Sequence, residues 1–169
     1  MEQQGGSTKL DGSAAASANE QLLTFIVDGE EYGVDILRVQ EIRSWSNPMP
    51  IPNTPHYIKG VINIRGDVVA IADLRERLSL PKLEYGATTV VVVLRVNAAG
   101  HERVMGVIVD AMSDVTNVPQ AAIKPPPTFK SSQEGSLAKG IVTLENKMIT
   151  ILDVDLIFDV SSAALVPAA

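Results

Sequence analysis

Catalysis needs a small set of side chains held together: a nucleophile beside a base, a pair of carboxylates, or a cluster of metal ligands. The candidates in this chain are the carboxylates Asp73, Asp153 and Asp155 and the imidazoles His56 and His101. None completes a set. The three aspartates lack the oxygen-ligand spacing of a calcium loop. Cysteine is absent, which removes thiolate catalysis, disulfides and Cys-based zinc sites. Two histidines alone fall short of a usual structural zinc site. The sequence holds no G-x-S-x-G, no H-E-x-x-H, no phosphate loop and no G-x-G-x-x-G. The expectation is a protein that is not an enzyme, with no cofactor and no metal.

Two other charges stand apart. Glu41 lies in the apolar neighbourhood Val39-Gln40-Glu41-Ile42, and Arg65 lies at the tip of a hairpin pattern. A charge in apolar surroundings needs a partner. A carboxylate and a guanidinium on short, rigid elements pair well and shape a recognition surface. The alternative is two unrelated surface charges.

The element that carries Arg65 is Lys59 to Leu78, KGVINIRGDVVAIADLRERL. Its two apolar runs flank Arg65-Gly66-Asp67 and read as strand, tight turn, strand. Gly66 takes positive φ at low cost and suits the turn. The pattern returns at Lys139 to Phe158, KGIVTLENKMITILDVDLIF. Lys59-Gly60 aligns with Lys139-Gly140, Ile71 with Ile151 and Asp73 with Asp153. The turn there is Glu145-Asn146, and Asn also tolerates a left-handed backbone. A second echo lies upstream in each half: Tyr32-Gly33-Val34 with Met105-Gly106-Val107, and Glu41-Ile42 with Asp114-Val115. Ordered matches in both halves indicate a duplicated β unit. Repetition also assigns Asp73 and Asp153 to capping or turn formation. Gly33, Gly66, Gly106 and Gly140 are expected at structural turns.

The remaining chain is read around these elements. Hydrophobic residues make up 46% of the 169, enough for a sizeable core. A net charge of −6 and an aromatic content of only 4% argue against nucleic acid and acidic membranes as partners. The N-terminus shows no secretory pattern and no apolar run is long enough to span a bilayer, so a cytoplasmic protein is expected. Residues 1–19 read as a disordered tail and 161–169 as a flexible one. Thr88 to Val96, TTVVVVLRV, is the strongest strand signal, and its β-branched run predicts burial on both faces or a barrel wall. Val34 to Ile42 changes phase, consistent with a bulged strand or with a strand followed by a short turn. Asn53-Thr54-Pro55 reads as a short helical start. Val115 to Ile123 reads as a connector and Lys124 to Ser136 as a loop. About ten strands in two similar halves favour an all-β fold of two small barrels of five strands each, with subdomains at 20–85 and 86–160. Whether a terminal strand crosses between them stays open.

Four stretches carry a resemblance: EEYGVDILRVQEI (Glu30 to Ile42), IPNTPHYIKGVINIRG (Ile51 to Gly66), VVAIADLRERL (Val68 to Leu78) and VMGVIVDAMSDV (Val104 to Val115). Together they resemble the CheW-like domain family of chemotaxis coupling proteins over about Glu20 to Val160. The resemblance implies two packed five-stranded SH3-like barrels, with short helices and a groove between the barrels. It implies a non-enzymatic adaptor linking transmembrane methyl-accepting chemoreceptors to the histidine kinase CheA. It further implies contact with the receptor's cytoplasmic tip and with the CheA regulatory domain, contacts between copies in array rings, and recruitment to membrane-associated arrays. Residue by residue, Val39, Glu41 and Ile42 match the family's receptor-binding groove. Arg65 matches the arginine of its N-[LI]-R-G hairpin, the partner of the glutamate equivalent to Glu41. Gly60 matches a glycine whose alteration disturbs receptor coupling. The kinase interface is not placed by the motifs. This chain departs from the pattern at the proline-dense Asn47 to Asn53 and at Ile64, where Leu is commoner. A coupling protein of a non-flagellar pathway would look much the same. A small nucleic-acid-binding barrel is the reading from another class, disfavoured by the acidic charge.

Overall fold

The computed structural model of the chain describes residues 19–98, 100–126 and 137–158. Except for Asn19, the tails expected at 1–19 and 161–169 lie outside the described residues, as does most of the loop expected at Lys124 to Ser136.

Among the described residues ten strands form: β1 (Asn19–Val27), β2 (Glu30–Asp35), β3 (Val39–Ser44), β4 (Ile58–Ile64), β5 (Asp67–Asp73), β6 (Val90–Ala98), β7 (His101–Val109), β8 (Ala111–Pro119), β9 (Ala138–Leu144) and β10 (Lys147–Leu152). Two one-turn helices follow hairpins, α1 (Leu74–Arg77) and α2 (Val154–Ile157), and 3-10 turns span Ile36–Arg38 and Gln120–Ala122. The strands make two five-stranded sheets. The central sheet has the order β3-β6-β7-β5-β4, and the terminal sheet, built from both ends of the chain, has the order β8-β1-β2-β10-β9.

The two orders are the same order twice. Each sheet is an antiparallel hairpin (β6–β7 or β1–β2) beside a second hairpin (β4–β5 or β9–β10), with a parallel contact between them. Even the parallel register repeats, with Ile71 opposite Gly106 and Ile151 opposite Gly33. Both second hairpins turn on two residues of positive φ, Arg65 (51°) with Gly66 (91°) and Glu145 (48°) with Asn146 (67°). That twist matches the right-handed twist of flanking strands, which is why two-residue loops favour it. After each hairpin an aspartate caps the short helix: Asp73 accepts from the Arg75 N–H at 2.9 Å, and Asp153 from the Asp155 N–H at 3.0 Å.

Neither sheet closes, so the two five-stranded barrels expected from the strand count, and implied as SH3-like by the resemblance, are not what forms. The edge strands of the central sheet, β3 and β4, and those of the terminal sheet, β8 and β9, share no ladder. Across each gap lies a single bridge, Met49–Val61 in one and Lys124–Ile141 in the other. Pro48, Pro50 and Pro52 surround the first, and Pro125 and Pro126 follow the second. Proline has no N–H to donate, so the pairing cannot propagate into a ladder.

Three apolar clusters hold the sheets. The largest lies between them and joins Phe25, Val27 and Tyr32 to Val92, Leu94, Val107 and Phe158. A smaller one sits in the concave side of each sheet, around Ile71, Val91 and Val93 in the central sheet and around Leu22, Val142 and Ile149 in the terminal sheet. Strand β6 therefore buries both faces, Val91 and Val93 one way and Val92 and Leu94 the other. Each buried valine contributes roughly 1.5–3 kcal/mol relative to an exposed one.

Two local expectations are overturned. The segment expected as a connector from Val115 begins inside β8, whose second half it supplies and which pairs with β1 from Asn19–Pro119 to Ile26–Ala111. It is an edge strand with polar residues on its open side, so no apolar run announces it. The helical start expected at Asn53 is instead a pair of turns, with Asn53 at φ 62°. Four prolines between Pro48 and Pro55 leave no run of backbone donors for a helix. The phase change in Val34 to Ile42 resolves into both features considered: a 3-10 turn at Ile36–Arg38, then a bulge in β3 between Val39 and Glu41.

Candidate functional site

The structure brings Glu41 and Arg65 together. Glu41 sits on β3, one edge of the central sheet, just past the bulge. Arg65 tips the β4–β5 hairpin, whose strand β4 is the opposite edge. The curl of the sheet carries the two edges toward each other, and Arg65 Nη1 donates to Glu41 Oε2 at 2.5 Å. Arg43 Nη1 reaches Glu41 Oε1 at 3.4 Å. The Glu41 side chain is 18% exposed and that of Arg65 is 73% exposed, so the carboxylate is held while the guanidinium faces solvent. The hydrogen bond from Arg65 holds the Glu41 carboxyl below the usual carboxylate range, with the positive charge of Arg65 and Arg43 adding to it and partial desolvation opposing it.

The other expected site residues occupy different settings. Val39 is half-buried against the inter-sheet core, and Ile42 is exposed on β3. Gly60 is buried and offers no contact surface. Its φ is +144°, and a Cβ there would lie 2.2 Å from the Met49 carbonyl oxygen. Gly60 thus permits the Met49–Val61 bridge that draws β4 toward the end of β3. Among the four glycines expected at turns, Gly66 lies in one. Gly33, Gly106 and Gly140 lie inside β2, β7 and β9, where chains approach closely. A Cβ on Gly106 would meet Ile71 at 2.6 Å and Val91 at 2.9 Å, and one on Gly140 would meet Ile123 at 2.6 Å.

Two ion-pair clasps fix one sheet against the other, and sequence reasoning missed both. Where the chain crosses from β7 to β8, Asp110 accepts from Arg75 Nε at 3.0 Å and Arg75 Nη2 at 2.9 Å. Arg75, on α1, also pairs with Asp28 at 3.2 Å and donates to the Pro81 carbonyl at 2.7 Å. Where the chain crosses from β2 to β3, Arg38 pairs with Asp155 on α2, and its Nε donates to the Arg95 carbonyl at 2.8 Å. The two clasps sit at equivalent places with the charges exchanged: cation on the helix in one, anion in the other. Asp155 therefore has a structural partner. Only the repeat alignment hinted at these positions, and partners 35 and 117 residues apart leave no local pattern.

On the far side of the central sheet, Trp45 and Tyr85 pack with ring centres 4.1 Å apart at the rim of a cleft of about 600 Å³. Tyr85 donates to Asp73 Oδ2 at 2.6 Å, and Lys59 pairs with Glu76. Burial, then Asp73 as hydrogen-bond acceptor and negative charge, push the Tyr85 hydroxyl far above the usual phenol range. Four polar residues of the cleft, Tyr85, Asp73, Lys59 and Glu76, are thus paired with one another, and Asp73 is committed to a helix cap.

The family model described as the CheW-like domain matches residues 21–162. The chain belongs to the CheW-like domain family. It is 37% identical to the chemotaxis protein CheW of Klebsiella aerogenes over 153 residues, 90% of each chain. It is 37% identical to CheW of Rhizobium meliloti over 142 residues, 84% of this chain and 89% of the relative. The crystal structure of the scaffolding protein TtCheW from Thermoanaerobacter tengcongensis superposes with a TM-score of 0.75 at 29% identity, covering 83% of this chain and 88% of that one. As a CheW-like protein the chain is a non-enzymatic scaffold of chemotaxis signalling, in a family whose members bind chemoreceptors and the kinase CheA. No helix among the described residues is long and apolar enough to cross a membrane.

Proposed function

We propose that this chain couples chemoreceptors to CheA by holding a receptor's helical tip against β3 and the β4–β5 turn of the central sheet. The observation that carries the proposal is the Glu41–Arg65 pair. It joins the two edges of the sheet and leaves the guanidinium facing solvent. A helical hairpin binds through a stripe of apolar contacts with charges that set its register. Ile42 supplies apolar contact and Val39 backs it from the core side. Glu41 and Arg65 fix orientation, and Gly60 acts from beneath by letting the chain at Met49 lie against β4. The same scaffold recruits the CheA regulatory domain and is drawn with it to the membrane-associated array. Modest single interfaces suit such assembly, because many act together in a lattice.

The test is co-sedimentation with receptor cytoplasmic fragments and full-length CheA, followed by CheA autophosphorylation with and without the chain. Ternary assembly with receptor-controlled phosphorylation is the expected result. Folded chain that binds neither partner, over several cognate receptors and kinases, would overturn the proposal. Within that assay, Glu41→Arg is expected to weaken receptor binding more than it lowers the melting temperature. Adding Arg65→Glu is expected to recover part of the loss. Strictly additive losses in that double-mutant cycle would remove the pair from the mechanism.

A further inference from the structure

We propose that a notch between β5 and β7 receives an acidic side chain of the partner, with Arg103 as its cationic receiver. The inference rests on the function proposed above and assigns a residue and a chemistry to that surface. Asp67, Val68, Val69, Ala70, Arg103 and Met105 line an opening of about 230 Å³. It exists because the parallel β5–β7 ladder starts only at Ala70–Met105, and the strands part before that point. Arg103 stands on its wall, and its Nε is buried with no hydrogen-bond partner among the described residues. Asp67 shares the wall, yet no ion pair joins it to Arg103.

The repeated half provides an internal comparison. Counted from the paired glycines Gly33 and Gly106, Arg103 stands where the terminal sheet has Glu30, and Val104 where it has Glu31. Counted from Ile71 and Ile151, Asp67 and Val68 stand where it has Lys147 and Met148. In the terminal sheet the parallel ladder starts one residue earlier, at Ile149–Glu31, and Lys147 pairs with Glu31 at 3.3 Å. That ion pair spans the equivalent opening from within the chain. In the central sheet its two positions hold Asp67 and Val104, which cannot pair. One notch is therefore closed by the chain's own charges, and the other stays open around a guanidinium with an unsatisfied donor.

A carboxylate that enters the notch gains a charge-assisted contact with a guanidinium whose buried Nε the described residues leave unpaired. Val68, 60% exposed at the notch, adds an apolar contact. The chemistry fits a helix that presents a glutamate or aspartate one turn from an apolar residue. On the receptor's helical tip, such a pair would enter the notch beside Arg65, three residues from Val68 in the same hairpin.

The experiment is calorimetric titration of the full chain with a purified receptor cytoplasmic fragment, at low and high salt. The variants are Arg103→Met, Arg103→Lys and the control Lys147→Gln. Fragments with each acidic residue of the tip neutralised in turn complete the set. Arg103→Met is expected to weaken binding about tenfold, the scale of one charge-assisted hydrogen bond, and to flatten the salt dependence. Arg103→Lys should retain part of the affinity, Lys147→Gln should bind as wild type, and one neutralised fragment should show no further loss with Arg103→Met. The melting temperature of Arg103→Met should not fall, since the substitution removes an unpaired buried donor. Wild-type binding with Arg103→Met unchanged would overturn this inference alone. An affinity loss that came with a lower melting temperature and an unchanged salt slope would mark a structural role and also overturn it. No binding by the wild-type chain to any cognate fragment would overturn the receptor reading and the inference together.

Discussion

At the residue scale, the informative side chains are charges whose partners lie far away in sequence. Glu41 titrates below the ordinary carboxylate range because Arg65 donates to its ionised form. The sign of the pH effect follows. A carboxyl with a lowered folded value adds stability that is present above its unfolded value and is lost as pH falls through the folded one. The Glu41–Arg65 pair should therefore be intact at neutral pH and come apart only in acid, below the usual carboxylate range. Side-chain carboxyl NMR tests this: in Arg65→Gln the Glu41 titration should move up toward the ordinary value, with other carboxyls unmoved. A Glu41 titration identical in wild type and Arg65→Gln would show that the pair does not persist in solution.

At the element scale, the strands are held at their close approaches by glycines that differ in how much room they have. Gly60 combines positive φ with a Cβ position 2.2 Å from a backbone oxygen, so nothing nearby can yield. Gly60→Ala is expected to cost about 3 kcal/mol or more, since strain and overpacking add. At Gly106 the neighbours are the tips of Ile71 and Val91, which shift at some cost, and Gly106→Ala should fall at about 1–3 kcal/mol. At Gly33 the nearest atom is Ile149 Cγ2 at 3.3 Å, and Gly33→Ala should cost about 1 kcal/mol or less. Urea unfolding of the three variants should return that order. If Gly33→Ala proved as damaging as Gly60→Ala, the close approach at Met49 would not be what demands glycine at position 60.

At the scale of the whole molecule, two similar sheets must be joined in one relative placement. The inter-sheet core supplies most of the cohesion, but apolar contact is non-directional. The Arg75–Asp110 and Arg38–Asp155 clasps add direction at the two crossings. They are unequal. Arg75 is 10% exposed and Asp110 20%, against 29% and 32% for Arg38 and Asp155. Arg75→Met strands the part-buried Asp110 and the exposed Asp28, and should cost about 3 kcal/mol, while Arg38→Met should cost about 1 kcal/mol. Adding Asp110→Leu to Arg75→Met should recover part of the loss, because the more buried of the two stranded carboxylates is then gone and only the more exposed Asp28 is left unpaired. Denaturation midpoints for the two single variants and the double variant check both statements. Equal costs for the two single variants would show that burial does not set the strength of the clasps.

What the sequence determined by itself is whatever repeats or runs locally: the two positive-φ hairpins, the valine-rich strand β6, the capping aspartates and the duplication. Each depends on neighbours a few residues apart, and each carries a residue type that its backbone needs. The family motifs lie in the same elements and in the strands next to them. Tertiary structure alone decided three things. It assigned the strands to sheets, joining both ends of the chain in one sheet, because strand pairing depends on long-range register that composition does not encode. It left both sheets open, because prolines that read as loop residues also stop the last ladder from forming. It chose the partners of Arg38 and Arg75 and left the buried Nε of Arg103 without one among the described residues, because a charge is paired or orphaned only once two distant segments have been packed against each other.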